Sequence, residues 1–199
     1  IFVGKAMGDP GLAAINIAWP LVALIISLGT GIGMGASVMI SLNKGAGDHR
    51  TADRMEGNAF FLLFTGSLLL TGILSFFGSP ALTLLGAEGE VHVDALTYLH
   101  YILYGAVVQT ISNGTIPLMR NRGASFYAMC SMACGCILNI VLDYQFILAY
   151  DMGMKGAALA TVFGQCTTLL FSIAFFLKKE NRISPKNLVP SGKAVSSLL

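Results

Sequence analysis

Long apolar stretches alternate with short charged ones along the whole chain. A helix needs about 20 mostly apolar residues to cross a bilayer. Five windows reach that length: residues 12–42, 59–85, 95–119, 126–150 and 157–177. Several exceed it, which predicts tilt or extension beyond the hydrocarbon. The pattern predicts an all-α fold, a polytopic membrane helix bundle of about five transmembrane helices.

Composition closes the soluble alternative. Of the 199 residues 55% are hydrophobic and only 11% charged, with a mean hydropathy of +0.73. A water-soluble domain carries about a quarter of its residues as charges, so lipid is the remaining solvent. The charges sit between the windows and their signs alternate. Lys44, Arg50 and Arg54 fall in the first connection, and Arg120 and Arg122 in the third. Lys178, Lys179, Arg182, Lys186 and Lys193 fall in the tail. The second connection holds Glu88, Glu90 and Asp94 with no cation, and the fourth holds Asp151 and Lys155. Of the 12 Lys and Arg, only Lys5 and Lys155 lie on the acidic side. The positive-inside rule makes the basic side cytoplasmic and the N-terminus external. Tyr98 and Tyr150 stand where interfacial aromatics are expected. No basic cluster interleaves with aromatics, which excludes nucleic acid as a partner.

Ile1 opens without a methionine and Ser197-Leu198-Leu199 ends abruptly, so the chain reads as a piece of something longer. No charged n-region followed by an apolar core marks a signal peptide. Cys130, Cys134 and Cys136 lack a zinc spacing, and small residues packing between helices is their expected role.

Within the first window, Gly29, Gly33, Ser37 and Ser41 form a small-xxx-small stripe beside Gly31 and Gly35. Such a stripe predicts close helix packing, or a seam along which helices slide. Met34 stands where a dinucleotide fingerprint needs its third glycine, and no strand precedes it. Pro20 and Pro117 interrupt two windows, as candidate cavity-lining kinks or simple shapers of a helix. Residues 7–14 echo residues 152–159, each a short external stretch leading into a helix. Shared loop chemistry is the first explanation.

Asp143 is the one acidic residue well inside a window. A charged carboxylate at bilayer depth costs about 2.5–3.5 kcal/mol on insertion scales, and persists facing a bundle interior or aqueous cavity, protonated or beside a cation. A proton and Na⁺ can therefore compete for one group, which is the chemistry a coupled antiporter needs. Asn139 lies one turn away on the same face. Gln109 with Asn113, and Thr161 with Gln165, repeat that spacing on two other helices. Each is a candidate cavity liner or an interhelical hydrogen bond, worth about 0.6 kcal/mol. The sequon Asn113-Gly114-Thr115 lies within a span, out of reach of a transferase. His49, His92 and His100 are scattered, and no catalytic triad, paired carboxylate, phosphate loop or metal site is expected.

Several spacings then fall together. They are Gly4 and Gly8-Asp9 before Leu12-Ala13-Ala14 with Pro20 following, Gly31-x-Gly33-x-Gly35, and Gly45-Ala46-Gly47-Asp48 with Ala52. Further along come Arg120-x-x-Gly123, Asn139-x-x-x-Asp143 and Gly153-x-x-Gly156-Ala157-Ala158-x-Ala160-Thr161. In this order, from Ile1 to about Lys179, they resemble the multidrug and toxic compound extrusion (MATE) family. The resemblance implies a twelve-helix antiporter of two six-helix lobes in the cytoplasmic membrane, exporting small organic cations or drugs against Na⁺ or H⁺. Residues 1–180 would be a partial N-terminal lobe, and 181–199 a cytoplasmic segment leading to the missing C-terminal lobe. Asn139, Asp143 and Thr161 would fall on the family's N-lobe cation site. The other key acidic residue of the family would precede Ile1, so the fragment should not transport by itself. No cofactor is implied beyond the transported coupling ion, and no enzymatic activity. A flippase of lipid-linked oligosaccharides in the same superfamily would carry basic residues along its central cavity, and none appears within these spans. An intramembrane enzyme would need a metal triad or nucleophile at membrane depth.

Overall fold

A computed structural model describes residues 2–178; the tail expected at 181–199 lies outside the described residues. The chain forms α1 (Phe2–Gly45), α2 (His49–Leu84), α3 (Gly89–Tyr104), α4 (Ala106–Asn121), α5 (Ser125–Asp143), a π-helical turn (Tyr144–Ala149) and α6 (Gly153–Leu177). Among the described residues there is no strand. Four helices are long and apolar enough to cross a membrane: Phe2–Gly45, His49–Leu84, Ser125–Ala149 and Gly153–Leu177.

The third expected span is not one helix. Gly105, with φ −98° and ψ 3°, divides it into two 16-residue pieces, each too short to cross a bilayer alone. At the break α6 packs close against the backbone. A Cβ on Gly105 would lie 2.5 Å from a methyl of Val162. Gln109 N–H still reaches Gly105 C=O at 2.9 Å, so α4 continues the pass that α3 begins.

The first helix begins earlier than its apolar window. Residues 2–7 are helical and turn back at Gly8, whose φ of 65° and ψ of −155° lie outside any helix. Gly4 then faces Leu12, and Gly11 faces Met7 and Val3. The other helices also overrun their windows, so the connections shrink to a few residues. Three of them close alike. Gly47, Gly86 and Gly123 take positive φ, and the next N–H bonds back five residues, to Asn43, Leu82 and Met119 respectively. Asp48 caps α2 by accepting from Thr51 N–H at 3.0 Å and Thr51 Oγ1 at 2.6 Å.

Short loops alternate the helix directions and give the bundle two ends. The basic end carries the α1–α2 and α4–α5 loops, and the acidic end the α2–α3 and α5–α6 loops. One apolar cluster fills the acidic half, around Val22, Leu82, Leu99, Ile102 and Ile147. A second fills the basic half, around Ile40, Met55, Leu118, Met119 and Phe176. Between them lie buried polar side chains of α4, α5 and α6: Gln109, Ser112, Thr115, Ser131, Thr168 and Ser172.

Glycine brings these helices together. A Cβ on Gly29 would stand 2.4 Å from Thr110 O, and one on Gly33 2.2 Å from Gly114 O. The stripe continues as Asn121 Nδ2 donates to Ser37 O at 2.8 Å and Ser41 Oγ at 2.6 Å. The whole small-residue face of α1 thus lies on α4, while Gly31 and Gly35 meet nothing within 4 Å. Gly135 and Gly164 make the same backbone contact between α5 and α6.

Candidate cation site

Asp143 is the last residue of α5, at its junction with the π-helical turn. The wider turn carries an extra residue, so Tyr150 N–H reaches Gln145 C=O, five residues back, at 2.9 Å. Asp143 and Ile147 line one side of a cavity of about 240 Å³. Tyr98 of α3 and Ala157 and Thr161 of α6 line another, and Phe2, Val3, Leu12 and Ile15 complete the wall. The turned-back segment of residues 2–7 thus builds the site, and Phe2 also meets Tyr144 edge-on at 6.1 Å.

Tyr98 departs from its expected place at the membrane interface. It is only 5% exposed and faces the Asp143 cavity. Its neighbours Ala95, Leu99 and Ile102 are buried too, so the helical stripe is the signal that marks it. Tyr150 remains exposed.

A second cavity of about 290 Å³ adjoins the first, and Thr161 lines both. Asn139, Asn113, Gln165 and Thr168 supply its polar groups. Asn139 and Asp143 thus stand one turn apart on adjoining cavities. The other expected pairs separate. Asn113 Nδ2 donates to the backbone oxygen of Gln109 at 2.8 Å, and buried Gln109 lines neither cavity. Thr161 Oγ1 donates to Ala157 O at 3.0 Å, whereas Gln165 Oε1 accepts from Ser112 Oγ at 2.6 Å and ties α6 to α4.

A third and wider cavity, about 460 Å³, runs between α1, α4 and α5 toward the basic end. It shares Asn113, Ile116 and Met132 with the second, and Pro117 lies in its wall. Arg120 stands among its lining residues, one position past the apolar window. Pro20 is exposed on α1 and lines none of the three.

The arrangement suits a small cation. An ionised carboxylate flanked by apolar walls is stable only when partnered, and a hydroxyl and a phenol stand ready as further oxygen ligands or hydrogen-bond donors. Among the described residues no group of three or more His, Cys, Asp or Glu could hold a metal ion, and Cys130, Cys134, Cys136 and Cys166 are free thiols.

A buried acidic residue lies in what hydropathy marks as the polar connection before the second window. Glu56 is 5% exposed on α2 and accepts from Arg122 Nε at 2.8 Å, with Arg122 Nη2 on its other oxygen. The guanidinium also lies 5.6 Å from the centre of the Phe176 ring.

Comparison with known proteins gives a consistent picture. The MatE family profile matches residues 1–145. Over 186 residues the chain is 28% identical to the multidrug export protein MepA of Staphylococcus saprophyticus, covering 92% of this chain and 41% of that protein. MepA of Staphylococcus aureus is 27% identical over 183 residues, with the same coverage. A solved MATE structure in a bent conformation superposes with a TM-score of 0.92 at 29% identity, over 100% of this chain and 45% of that one. An inward-facing multidrug resistance MATE transporter of the MOP superfamily gives 0.86 at 30% identity, over 99% and 46%. The chain therefore spans a little under half the length of the proteins it matches.

Proposed function

The chain belongs to the MatE family, and from that premise we propose that it is part of the N-terminal lobe of a cation-coupled antiporter. The complete transporter exports organic cations or drugs across the cytoplasmic membrane against Na⁺ or H⁺. The observation that carries this reading is the placement of Asp143 in a part-buried cavity with Thr161 and Tyr98, one turn from Asn139 in the adjoining cavity. A cation bound there stabilises the lobe arrangement that holds it best, and its release allows the other arrangement. Asp143, Asn139 and Thr161 act as the coupling residues. The basic residues of the α1–α2 and α4–α5 loops support a cytoplasmic location for that end, by the positive-inside rule. The partners are the lipid bilayer, the second lobe and the small cationic substrate.

In the full-length protein, Asp143→Asn is expected to abolish Na⁺- or proton-driven dye efflux while expression stays intact. Undiminished driven efflux in that variant contradicts the proposal. Arg120 in the wall of the wide cavity favours a second reading, a flippase for anionic lipid-linked substrates. Loss of activity in Arg120→Gln with Asp143→Asn fully active would support it.

A further inference from the structure

The outer turn of α5 is built against its own preference. A six-residue π-helical turn, Tyr144–Ala149, starts at the residue after Asp143. It runs into a connection with two left-handed residues: Asp151 at φ 50°, the one non-glycine with positive φ among the described residues, and Gly153 at φ 54°. At a non-glycine such as Asp151 a left-handed conformation is strained and persists only where the surroundings over-determine it.

The surroundings come from α6, at Gly156. A Cβ on Gly156 would lie 2.9 Å from Phe146 Cβ and 3.1 Å from Phe146 C, inside the contact distance real side chains keep. Only a glycine lets α6 press on the backbone of the wide turn. That contact holds the turn that directly follows Asp143, and the stretch of cavity wall formed by Asp143 and Ile147 rests on it.

The echoed stretch at the start of the chain has the same build. Gly8 takes φ 65°, as Gly153 takes 54°, and a Cβ on Gly11 would lie 2.6 Å from Met7 Cβ. The two stretches also touch, with Gly153 facing Met7 and Gly11 facing Met154. Leu12 and Ile15 follow the first stretch and line the Asp143 cavity, as Ala157 and Thr161 do after the second.

We propose that Gly156 is a positioning residue for the coupling cation: it seats the π-helical turn, and the turn aims Asp143 into its cavity. The role rests on the functional reading of Asp143 given above. Tyr98 is the other titratable side chain that lines the cavity among the described residues.

The test uses the full-length transporter in vesicles, reading the half-saturating Na⁺ at fixed pH, and the external pH midpoint at fixed Na⁺, separately from the KM for a fluorescent dye. Gly156→Ala should weaken the dependence on the driving cation about ten-fold, in the range of losses for residues that orient a ligand group, with dye KM unchanged. Gly31→Ala, in open space, should leave both as they are. Phe146→Gly adds no atom and loosens the same contact, so it should shift the cation dependence in the same direction even where the alanine variant is not recovered. An unshifted cation dependence in a recovered Gly156→Ala protein, or in Phe146→Gly, overturns the proposal, as does an equal shift in dye KM. Asp143→Asn is run beside them. Driven efflux that survives it removes the functional reading and the positioning role together. Driven efflux that it abolishes, with Gly156→Ala and Phe146→Gly unshifted, removes the positioning role alone.

Discussion

The two ends of the bundle place a carboxylate in opposite circumstances, one buried and paired, the other half-buried at a cavity. At the basic end Glu56 is met by a bidentate guanidinium from Arg122, which also lies over the Phe176 ring. Phe176 in turn packs edge-on against Phe60 and Phe175, both at 5.2 Å. Tyr127 Oη adds a bond to Phe171 O at 3.0 Å, so α2, α4, α5 and α6 are tied together there. At the acidic end Asp143 faces a cavity, on a π-helical turn, beside a connection of two left-handed residues. A charge that is fully paired inside the lobe holds helices in place. A charge that faces a cavity is available to an ion from outside.

Breaking the paired carboxylate is expected to give the largest loss of stability. Removing one member of a buried pair costs about 3–5 kcal/mol, so Glu56→Gln or Arg122→Gln should lower the thermal midpoint of the full-length protein in detergent far more than Asp143→Asn does. The double variant should recover much of the loss, because no unpaired charge is left buried. A drop in Asp143→Asn as large as in Glu56→Gln would erase the contrast between the two ends.

The glycine seam beneath both ends comes next. Gly33→Ala forces a methyl toward the carbonyl of Gly114 and should cost about 1–3 kcal/mol through overpacking. Gly31→Ala, two residues along the same helix, has open space and should gain about 0.5–1 kcal/mol from helix propensity. Equal midpoints for the two variants would show that α1 and α4 do not meet at Gly33.

The smallest effect lies at the cap of α2. Hydrogen bonds from the Thr51 hydroxyl and then its backbone N–H, with Arg50 and Arg54 nearby, hold Asp48 below its ordinary 3.8. A folded value lower than the unfolded one stabilises the first turn at neutral pH, and the contribution fades below pH 3.8 as the carboxyl protonates. The protection factor of the Thr51 amide, corrected for the intrinsic rate at each pH, should fall in that acid range, and no such change is expected at Gly123, whose loop has no carboxylate cap.

Much of this architecture is legible in the sequence because hydropathy reports which residues can face lipid. Four of the five windows correspond to long apolar helices, and the Gly29/Gly33/Ser37/Ser41 spacing marks the face that meets α4. The spacing of Asn139 and Asp143 places them one turn apart on neighbouring cavities. What hydropathy cannot report is backbone conformation. The window at 95–119 is continuous in composition, yet it breaks at Gly105 where Val162 needs the space. Likewise Tyr144–Ala149 reads as ordinary helix, and its π geometry follows from contact with Gly156 in another helix. Tyr98 has the composition of an interfacial aromatic, and only its buried stripe separates it from Tyr150. Glu56 reads as part of a loop because a charged turn of helix and a polar loop look alike, and its partner Arg122 lies 66 residues away.

The most direct measurement is cation binding to the purified full-length protein without drug, by sodium-dependent calorimetry and by proton release on acid–base titration. Wild type should show one site in this lobe, lost in Asp143→Asn and kept in Glu56→Gln wherever that variant is folded. Binding unchanged in Asp143→Asn, or lost equally in folded Glu56→Gln, would contradict the assignment of Asp143 as the open carboxylate of the lobe.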